Sequence, residues 1–113
     1  LYEYNEKGTW EKTMLIQKVV DGHTIDVLDF NGDGHLDIFS GEMGLNGGNP
    51  DARIRIMLGD GQGNFIHHVV AKGIGTHESK IADLDGDGDY DIMSKPYNWK
   101  APRLDIFMNE SDK

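Results

Sequence analysis

Two nine-residue segments, 29–37 and 83–91, carry oxygen-bearing side chains at their first, third, fifth and ninth positions. Position 7 of each segment can add a backbone carbonyl oxygen. Gly34 and Gly88 follow the third of these side chains, where a sharp turn requires a residue without Cβ. Oxygen ligands in a tight loop suit Ca²⁺, which takes six to eight oxygens in a flexible shell, better than Mg²⁺, which demands a strict octahedron. The spacing therefore predicts two calcium loops.

The negative charges of the two segments also indicate that a cation binds there. Their ligand side chains carry three negative charges in the first segment and four in the second. Without a cation, some carboxyl groups would have to protonate or the loop would have to open. An EF-hand would need Glu at position 12 and flanking helices, but position 12 is Ser40 or Ser94 and the flanks alternate as strands do. Two unoccupied acidic turns remain the alternative.

Both acidic segments belong to a longer internal repeat. They start 54 residues apart, and residues 36–40 match residues 90–94 at the same offset. Residues 53–57 match residues 103–107 at an offset of 50, so the intervening loop varies in length. Residues 1–10 align without gaps to residues 56–65. A period near 50 residues indicates a repeat architecture.

Each repeat predicts four short strands, A to D, bounded by Gly, Asp, Asn or Pro. Their predicted ranges are 24–28 and 79–84 for A, 36–40 and 90–94 for B, 53–58 and 103–108 for C, and 65–70 and 14–20 for D. Four antiparallel strands per repeat predict an all-β fold, a partial β-propeller built from four-stranded blades with the calcium loops in the A–B hairpins.

The same register divides the chain into three parts. We expect the outer strands C and D of a preceding blade in residues 1–22, a complete blade with the loop 29–37 in residues 23–73, and strands A to C of the next blade with the loop 83–91 in residues 74–113. Such a set leaves apolar faces uncovered. We therefore expect further blades, either from a longer parent chain or from homo-oligomerisation.

The motif Asp-x-Asn/Asp-x-Asp-Gly-x-x-Asp-Ile, preceded by a short apolar strand, resembles the FG-GAP or VCBS repeat. The bacterial VCBS-like branch is the better match, since the Phe-Gly and Gly-Ala-Pro signatures are not clearly present. The resemblance implies a propeller with Ca²⁺ in the A–B hairpin of each blade. By that match the metal ligands are Asp29, Asn31, Asp33, His35 (carbonyl) and Asp37 in the first loop, and Asp83, Asp85, Asp87, Asp89 (carbonyl) and Asp91 in the second.

The B–C and D–A connections lie at the opposite end of the blades from the calcium loops. They carry aromatic residues beside charged and amide groups, a composition typical of sites for carbohydrates or small polar ligands. The candidate ligand-binding residues are His77, Glu78, Lys95, Tyr97 and Trp99. Packing of Tyr97 and Trp99 against a neighbouring blade is the alternative. His23 and His77 recur at one position of the repeat, which predicts a structural hydrogen bond at the start of strand A.

The composition of the chain excludes several classes of partner and of site. With 11 Lys and Arg against 20 Asp and Glu, the net charge of −9 argues against binding to nucleic acid or to an anionic membrane surface. Cysteine is absent, which excludes disulfides and thiolate metal sites. We expect a secreted or cell-surface calcium-binding module that recognises a glycan or a protein. The alternatives are a polysaccharide-degrading propeller enzyme (a lyase or hydrolase) using His77, Glu78, Lys95 and Tyr97, and a self-assembling blade-exchange subunit.

Overall fold

A computed structural model describes residues 1–45, 49–96 and 103–110. Antiparallel strands make up its regular structure, and no α-helix occurs in these three ranges. No helix in them is long and apolar enough to cross a membrane. The strands are β1 (Tyr2–Tyr4), β2 (Trp10–Lys12), β3 (Gly22–Leu28), β4 (Asp37–Glu42), β5 (Arg53–Gly59), β6 (Phe65–Lys72), β7 (Glu78–Ala82), β8 (Asp91–Lys95) and β9 (Asp105–Phe107).

The strands form three sheets in chain order. β1 and β2 make a two-stranded sheet, β3 to β6 a four-stranded sheet, here called blade 1, and β7 to β9 a three-stranded sheet, here called blade 2. Within each sheet every strand pairs with the next along the chain, as in a meander. The all-β fold and the antiparallel blades predicted from the sequence are confirmed, and the sheets do not close into a ring.

Side chains alternate between two faces of blade 1, because successive residues of a strand point to opposite sides. Residues paired across the sheet share a face, which the register assigns directly. We call one side the front face, with Ile25, Val27, Ile38 and Met57. The other side is the back face, with Phe39, Ile54, Ile56 and Leu58.

The hydrophobic core lies between the two blades. Phe39, Ile54 and Ile56 from the back face of blade 1 are buried, and they cluster with Ile92 of blade 2. Ile81 and Phe107, which share the face of Ile92, pack against this cluster. Blade 2 therefore covers the back face of blade 1 with the face that carries Ile81, Ile92 and Phe107.

One predicted strand is wrong. Residues 14–20 were expected to form strand D on their apolar composition, but the second strand is Trp10–Lys12 and no strand occurs in residues 14–20. Trp10 corresponds to Phe65, the first residue of β6, so the ungapped repeat register locates the strand correctly. The apolar residues Met14, Leu15 and Ile16 line a cavity over the front face of blade 1 instead.

A buried ion pair closes the end of blade 1 away from the acidic loops. Arg55 Nη1 donates to Glu42 Oε1 at 3.1 Å, and both side chains are almost fully buried. Glu42 also accepts the backbone N–H of Val20 and of Arg53. Burial acts to raise the pKa of Glu42, but the hydrogen bonds from Arg55, Arg53 and Val20 outweigh it and hold that pKa below its usual value.

Candidate metal centre

The acidic loop between β7 and β8 brings three carboxylates together. Asp83, Asp85 and Asp91 each offer one oxygen, and these oxygens lie within 4.8 Å of one another. A calcium ion holds its ligands at about 2.3–2.6 Å, so oxygens on opposite sides of the ion are about 5 Å apart. Both the oxygen-only chemistry and the spacing of the trio fit a calcium-sized cation.

Backbone N–H groups fold this loop around the first aspartate. Asp83 Oδ1 accepts the N–H of Gly86 at 2.6 Å and of Asp87 at 3.1 Å, while Asp83 Oδ2 accepts the N–H of Gly88 at 3.0 Å. Gly86 and Gly88 have φ angles of 81° and 98°, which a residue with a Cβ adopts only with strain. Asp85 Oδ1 accepts the N–H of Asp87 at 3.1 Å. The glycines thus let the backbone turn tightly enough to gather the carboxylates.

The loop between β3 and β4 repeats this arrangement. Asp29 Oδ1 accepts the N–H of Asp33 at 3.1 Å, and Asp29 Oδ2 accepts the N–H of Gly34 at 2.9 Å. Asn31 Oδ1 accepts the same Asp33 N–H at 3.1 Å. The two loops are therefore built alike from their first to their sixth positions.

Among the four predicted ligand side chains of each loop, only the second differs between the loops. Asn31 stands where the second loop has Asp85, and its Nδ2 donates to Asp33 Oδ2 at 3.0 Å. The backbone N–H of His35 and the amide of Asn31 lower the pKa of the exposed Asp33. The first loop thus offsets part of its own negative charge with an amide donor, and Asp85 adds a fourth carboxylate to the second loop.

The ninth-position aspartates have a second role that the sequence analysis missed. Asp37 is fully buried; its Oδ2 accepts the N–H of Phe30 and its Oδ1 accepts the N–H of Gly59, both at 2.8 Å. Asp91 does the same with Leu84 and Asn109, again at 2.8 Å. Each carboxylate therefore closes its own loop and ties it to the end of the third strand. Gly59 and Asn109 correspond at the offset of 50, so the repeat alignment could have signalled this contact.

The seventh-position residues lie inside the turns. The N–H of His35 donates to Asp33 Oδ1 at 2.8 Å, and the N–H of Asp89 donates to Asp87 Oδ1 at 2.9 Å. A Cβ built on Gly61 would lie 2.5 Å from His35 Nδ1, so the imidazole packs over the β5–β6 turn. Ligation by the carbonyls of His35 and Asp89, like that by the side chain of Asp87, stays a prediction.

The other end of blade 2 gathers three of the five predicted ligand-binding residues. Glu78 pairs with Lys95 across β7 and β8, and the N–H of His77 donates to the carbonyl of Lys95 at 2.8 Å. Tyr97 and Trp99 lie outside the described residues. His77, Glu78 and Lys95 are thus adjacent, and a binding role for them stays a prediction.

The two recurring histidines meet between the blades. The strand register shifts between Gly22 and Thr24, which leaves His23 in a β-bulge. The imidazoles of His23 and His77 stack with their centroids 4.4 Å apart, and His23 Nδ1 lies 2.6 Å from the carbonyl oxygen of His77. Since a carbonyl only accepts, His23 Nδ1 carries the proton. The predicted hydrogen bond at the start of strand A therefore links the two repeats.

Comparison with known proteins agrees with this architecture. The sequence model of the FG-GAP-like repeat matches residues 29–94, more than half of the chain, from the first acidic loop to the strand after the second. Neither the search of curated proteins nor that of solved structures found a match. The matched segment contains both acidic loops, both ninth-position aspartates and the core residues Phe39, Ile54, Ile56 and Ile92. The chain belongs to the FG-GAP-like repeat family.

Proposed function

We propose that this chain is a calcium-binding β-propeller repeat module of a secreted or cell-surface protein, with one Ca²⁺ in each acidic loop. The observation that carries the proposal is the trio of carboxylate oxygens of Asp83, Asp85 and Asp91 within 4.8 Å of one another. Carboxylates this close repel one another at neutral pH unless a cation or a proton lies between them. The first loop supports a second site because its backbone follows the same hydrogen-bonding scheme.

The proposed role of the ions is structural. Asp91 would bind the cation while it accepts the N–H groups of Leu84 and Asn109, since a carboxylate has about four lone-pair sites. A bound ion would supply positive charge that holds the loop closed. Closure of the loop in turn keeps Asp91 oriented toward the end of the third strand. Calcium binding would therefore be coupled to the attachment of the loop to the third strand.

The affinity expected for such a loop favours an extracellular setting. Calcium sites of extracellular modules have dissociation constants on the order of 10⁻⁴–10⁻³ M, which matches calcium levels outside cells. The ligand side chains of the two loops carry seven of the 20 acidic groups of the chain. Their concentrated charge would leave this end of the blades strongly negative without the ions.

We further propose that the opposite end of the blades recognises a glycan or a protein. His77, Glu78 and Lys95 lie together there and offer both charges and hydrogen-bond donors. The stacking of His77 on His23 favours binding over acid–base catalysis, because a ring held between two blades is poorly placed to approach a reacting bond.

The calcium proposal is tested by thermal unfolding and calorimetric titration. In 10 mM calcium we expect a gain of about 1.4 to 2.7 kcal/mol per site over EDTA, for dissociation constants of about 10⁻³ to 10⁻⁴ M. Titration should show two sites, and equimolar magnesium should stabilise less. Asp83→Asn should remove one site, while the exposed Asp51→Asn, far from both loops, should keep two. An unfolding temperature identical in calcium and in EDTA would refute the proposal.

A further inference from the structure

The first acidic loop contains a dipeptide that can modify itself. Asn31 is followed by Gly32, and of the seven asparagines of the chain only Asn31 and Asn46 precede a glycine. The backbone nitrogen of the residue after an asparagine can attack the side-chain amide carbon of that asparagine, and a Cβ on this residue hinders the attack. Glycine has no Cβ and adopts a wider range of backbone conformations. Asn46 lies outside the described residues, so Asn31 is the site to consider.

The nitrogen that would attack is free in the first loop and bonded in the second. Among the described residues the N–H of Gly32 has no acceptor, and a Cβ built on Gly32 would meet no atom within 4 Å. In the second loop the equivalent N–H, that of Gly86, donates to Asp83 Oδ1 at 2.6 Å. The loops therefore differ at the nitrogen on which the reaction depends.

The amide that would be attacked lies at the surface of the loop. Asn31 and Asp33 are both exposed, and their only mutual contacts are the bond from the N–H of Asp33 to Asn31 Oδ1 and the bond from Asn31 Nδ2 to Asp33 Oδ2. Release of this side chain exposes no apolar surface, so local opening of the turn costs little free energy. Water, the second reactant, has direct access to the site.

We propose that Asn31 is a site of spontaneous deamidation. The nitrogen of Gly32 bonds to Cγ of Asn31 and loses its proton to water, while the Cγ–Nδ2 bond breaks and Nδ2 takes up a proton and leaves as ammonia. Water then opens the five-membered succinimide ring that results. Addition of water at Cγ gives aspartate, and addition at the backbone carbonyl carbon gives isoaspartate.

The two products change the loop in opposite ways. Aspartate at position 31 supplies the carboxylate that the second loop carries at Asp85, so the two loops would then have the same predicted ligand side chains. Isoaspartate adds one carbon atom to the main chain just before Gly32. The N–H groups of Asp33 and Gly34 would then no longer lie opposite the carboxylate of Asp29, and the turn would be lost.

Calcium in the first loop would slow this reaction. Closure of the ring draws the side chain of Asn31 back onto its own main chain, away from Asp33 and from an ion in the loop. If only the free loop reacts, 10 mM calcium should lower the rate about 10- to 100-fold for dissociation constants of about 10⁻³ to 10⁻⁴ M. This slowing rests on the calcium proposal, whereas the deamidation itself does not. The loop would thus record the time that the protein has spent without calcium.

The test is peptide mapping by mass spectrometry after incubation of the protein in EDTA at mildly alkaline pH. We expect Asn31 to exchange NH for O well before Asn5 and Asn64, which also lie in exposed turns but precede residues with side chains. Labelling by an isoaspartyl methyltransferase separates the two products. Reaction at Asn31 no faster than at Asn5 and Asn64 would overturn the proposal.

Two glycine variants separate the chemistry from loosening of the loop. Gly32→Ala should slow deamidation of Asn31 severalfold. Gly34→Ala is the matched control and should not slow it, since Gly34 also has a positive φ and open surroundings but follows Asp33. Circular dichroism checks that both variants are folded. An unchanged rate in Gly32→Ala, or equal slowing in both variants, would contradict the mechanism.

A comparison of rates in calcium and in EDTA, combined with calorimetric titration, distinguishes the two proposals. Equal rates with ions bound would refute the protection by calcium. Equal rates with no ion bound would refute the calcium proposal and leave the deamidation of Asn31 established.

Discussion

The two repeats of this chain agree at one end and differ at the other. At the acidic end, Asp29 matches Asp83 and Asp37 matches Asp91, with the same backbone partners in each case. At the opposite end, blade 1 carries the buried pair of Glu42 and Arg55. The corresponding residues of blade 2 are Pro96 and Asp105, so this pair is not repeated.

This difference distinguishes the acidic loop, which both blades share, from the ion pair, which belongs to blade 1 alone. The loop and its buried aspartate occur in both blades, where the aspartate closes the hairpin and attaches it to the third strand. The ion pair of Glu42 and Arg55 fastens the segment that enters blade 1, through the N–H of Val20. The end opposite the acidic loops is thus where blades are free to diverge.

Removal of a ninth-position aspartate should have the largest effect on stability. Asp37→Ala leaves the N–H groups of Phe30 and Gly59 without their acceptor, at about 1–3 kcal/mol each. Asp91→Ala should cost a similar amount in blade 2. Urea unfolding in EDTA measures this cost apart from calcium. Asp51→Ala, which breaks an exposed pair with Lys72, is the control and should change the stability far less than Asp37→Ala. If Asp37→Ala lowered the stability only in calcium, the aspartate would act as a calcium ligand and not as an acceptor that holds the strands.

Loss of the unrepeated ion pair should come next. Glu42→Gln leaves the buried Arg55 without its counter-charge, which should cost about 3 kcal/mol. Because the pKa of Glu42 is lowered on folding, its contribution is complete above its ordinary value near 4.5 and is lost as the pH falls below that value. Urea unfolding between pH 7 and pH 3 should therefore show a smaller pH dependence in Glu42→Gln than in the wild type.

The control for the ion pair is Glu78→Gln. Glu78 forms an exposed pair with Lys80 at 3.5 Å, and such pairs contribute little. It should change neither the stability at pH 7 nor the steepness of the acid transition. If Glu42→Gln behaved in the same way, the buried pair would not be what distinguishes blade 1.

The smallest effect should come from exchanging the third positions of the two loops. Asn31→Asp adds a carboxylate and removes the amide donor to Asp33, so calcium affinity at the first loop should rise severalfold. Asp85→Asn should lower affinity at the second loop by a similar factor. Calorimetric titration of each variant and of the double exchange checks this. If the affinities did not follow the exchange, the amide would not explain the difference between the loops.

Much of the fold followed from local signals in the sequence. The acidic loops, the glycines and the repeat offsets located β3 to β9 to within two residues at every boundary. The strand expected at 14–20 is wrong because its apolar residues line a cavity over blade 1 and do not pair with a neighbouring strand. The register of Trp10 with Phe65 was the better guide.

Contacts between distant residues could not be predicted in the same way. The bond from Gly59 to Asp37 and the stack of His23 on His77 depend on how strands and blades lie in space. The sequence indicated that His23 and His77 were equivalent, but equivalence by repeat does not imply contact. Nothing in the sequence indicated the bulge at His23, which lies at this contact.

The bond between Asp37 and the N–H of Gly59 also bears on how the chain avoids mispairing. A slip of one residue between β4 and β5 would turn Ile54 and Ile56 to the wrong side of the sheet. It would also bring Leu58 or Asp60 to the place of Gly59, where a Cβ would collide with the carbonyl oxygen of Leu36. A misaligned hairpin would therefore expose apolar side chains, lose the Asp37 acceptor and create a steric clash at once. These three effects together favour the native register of β4 and β5.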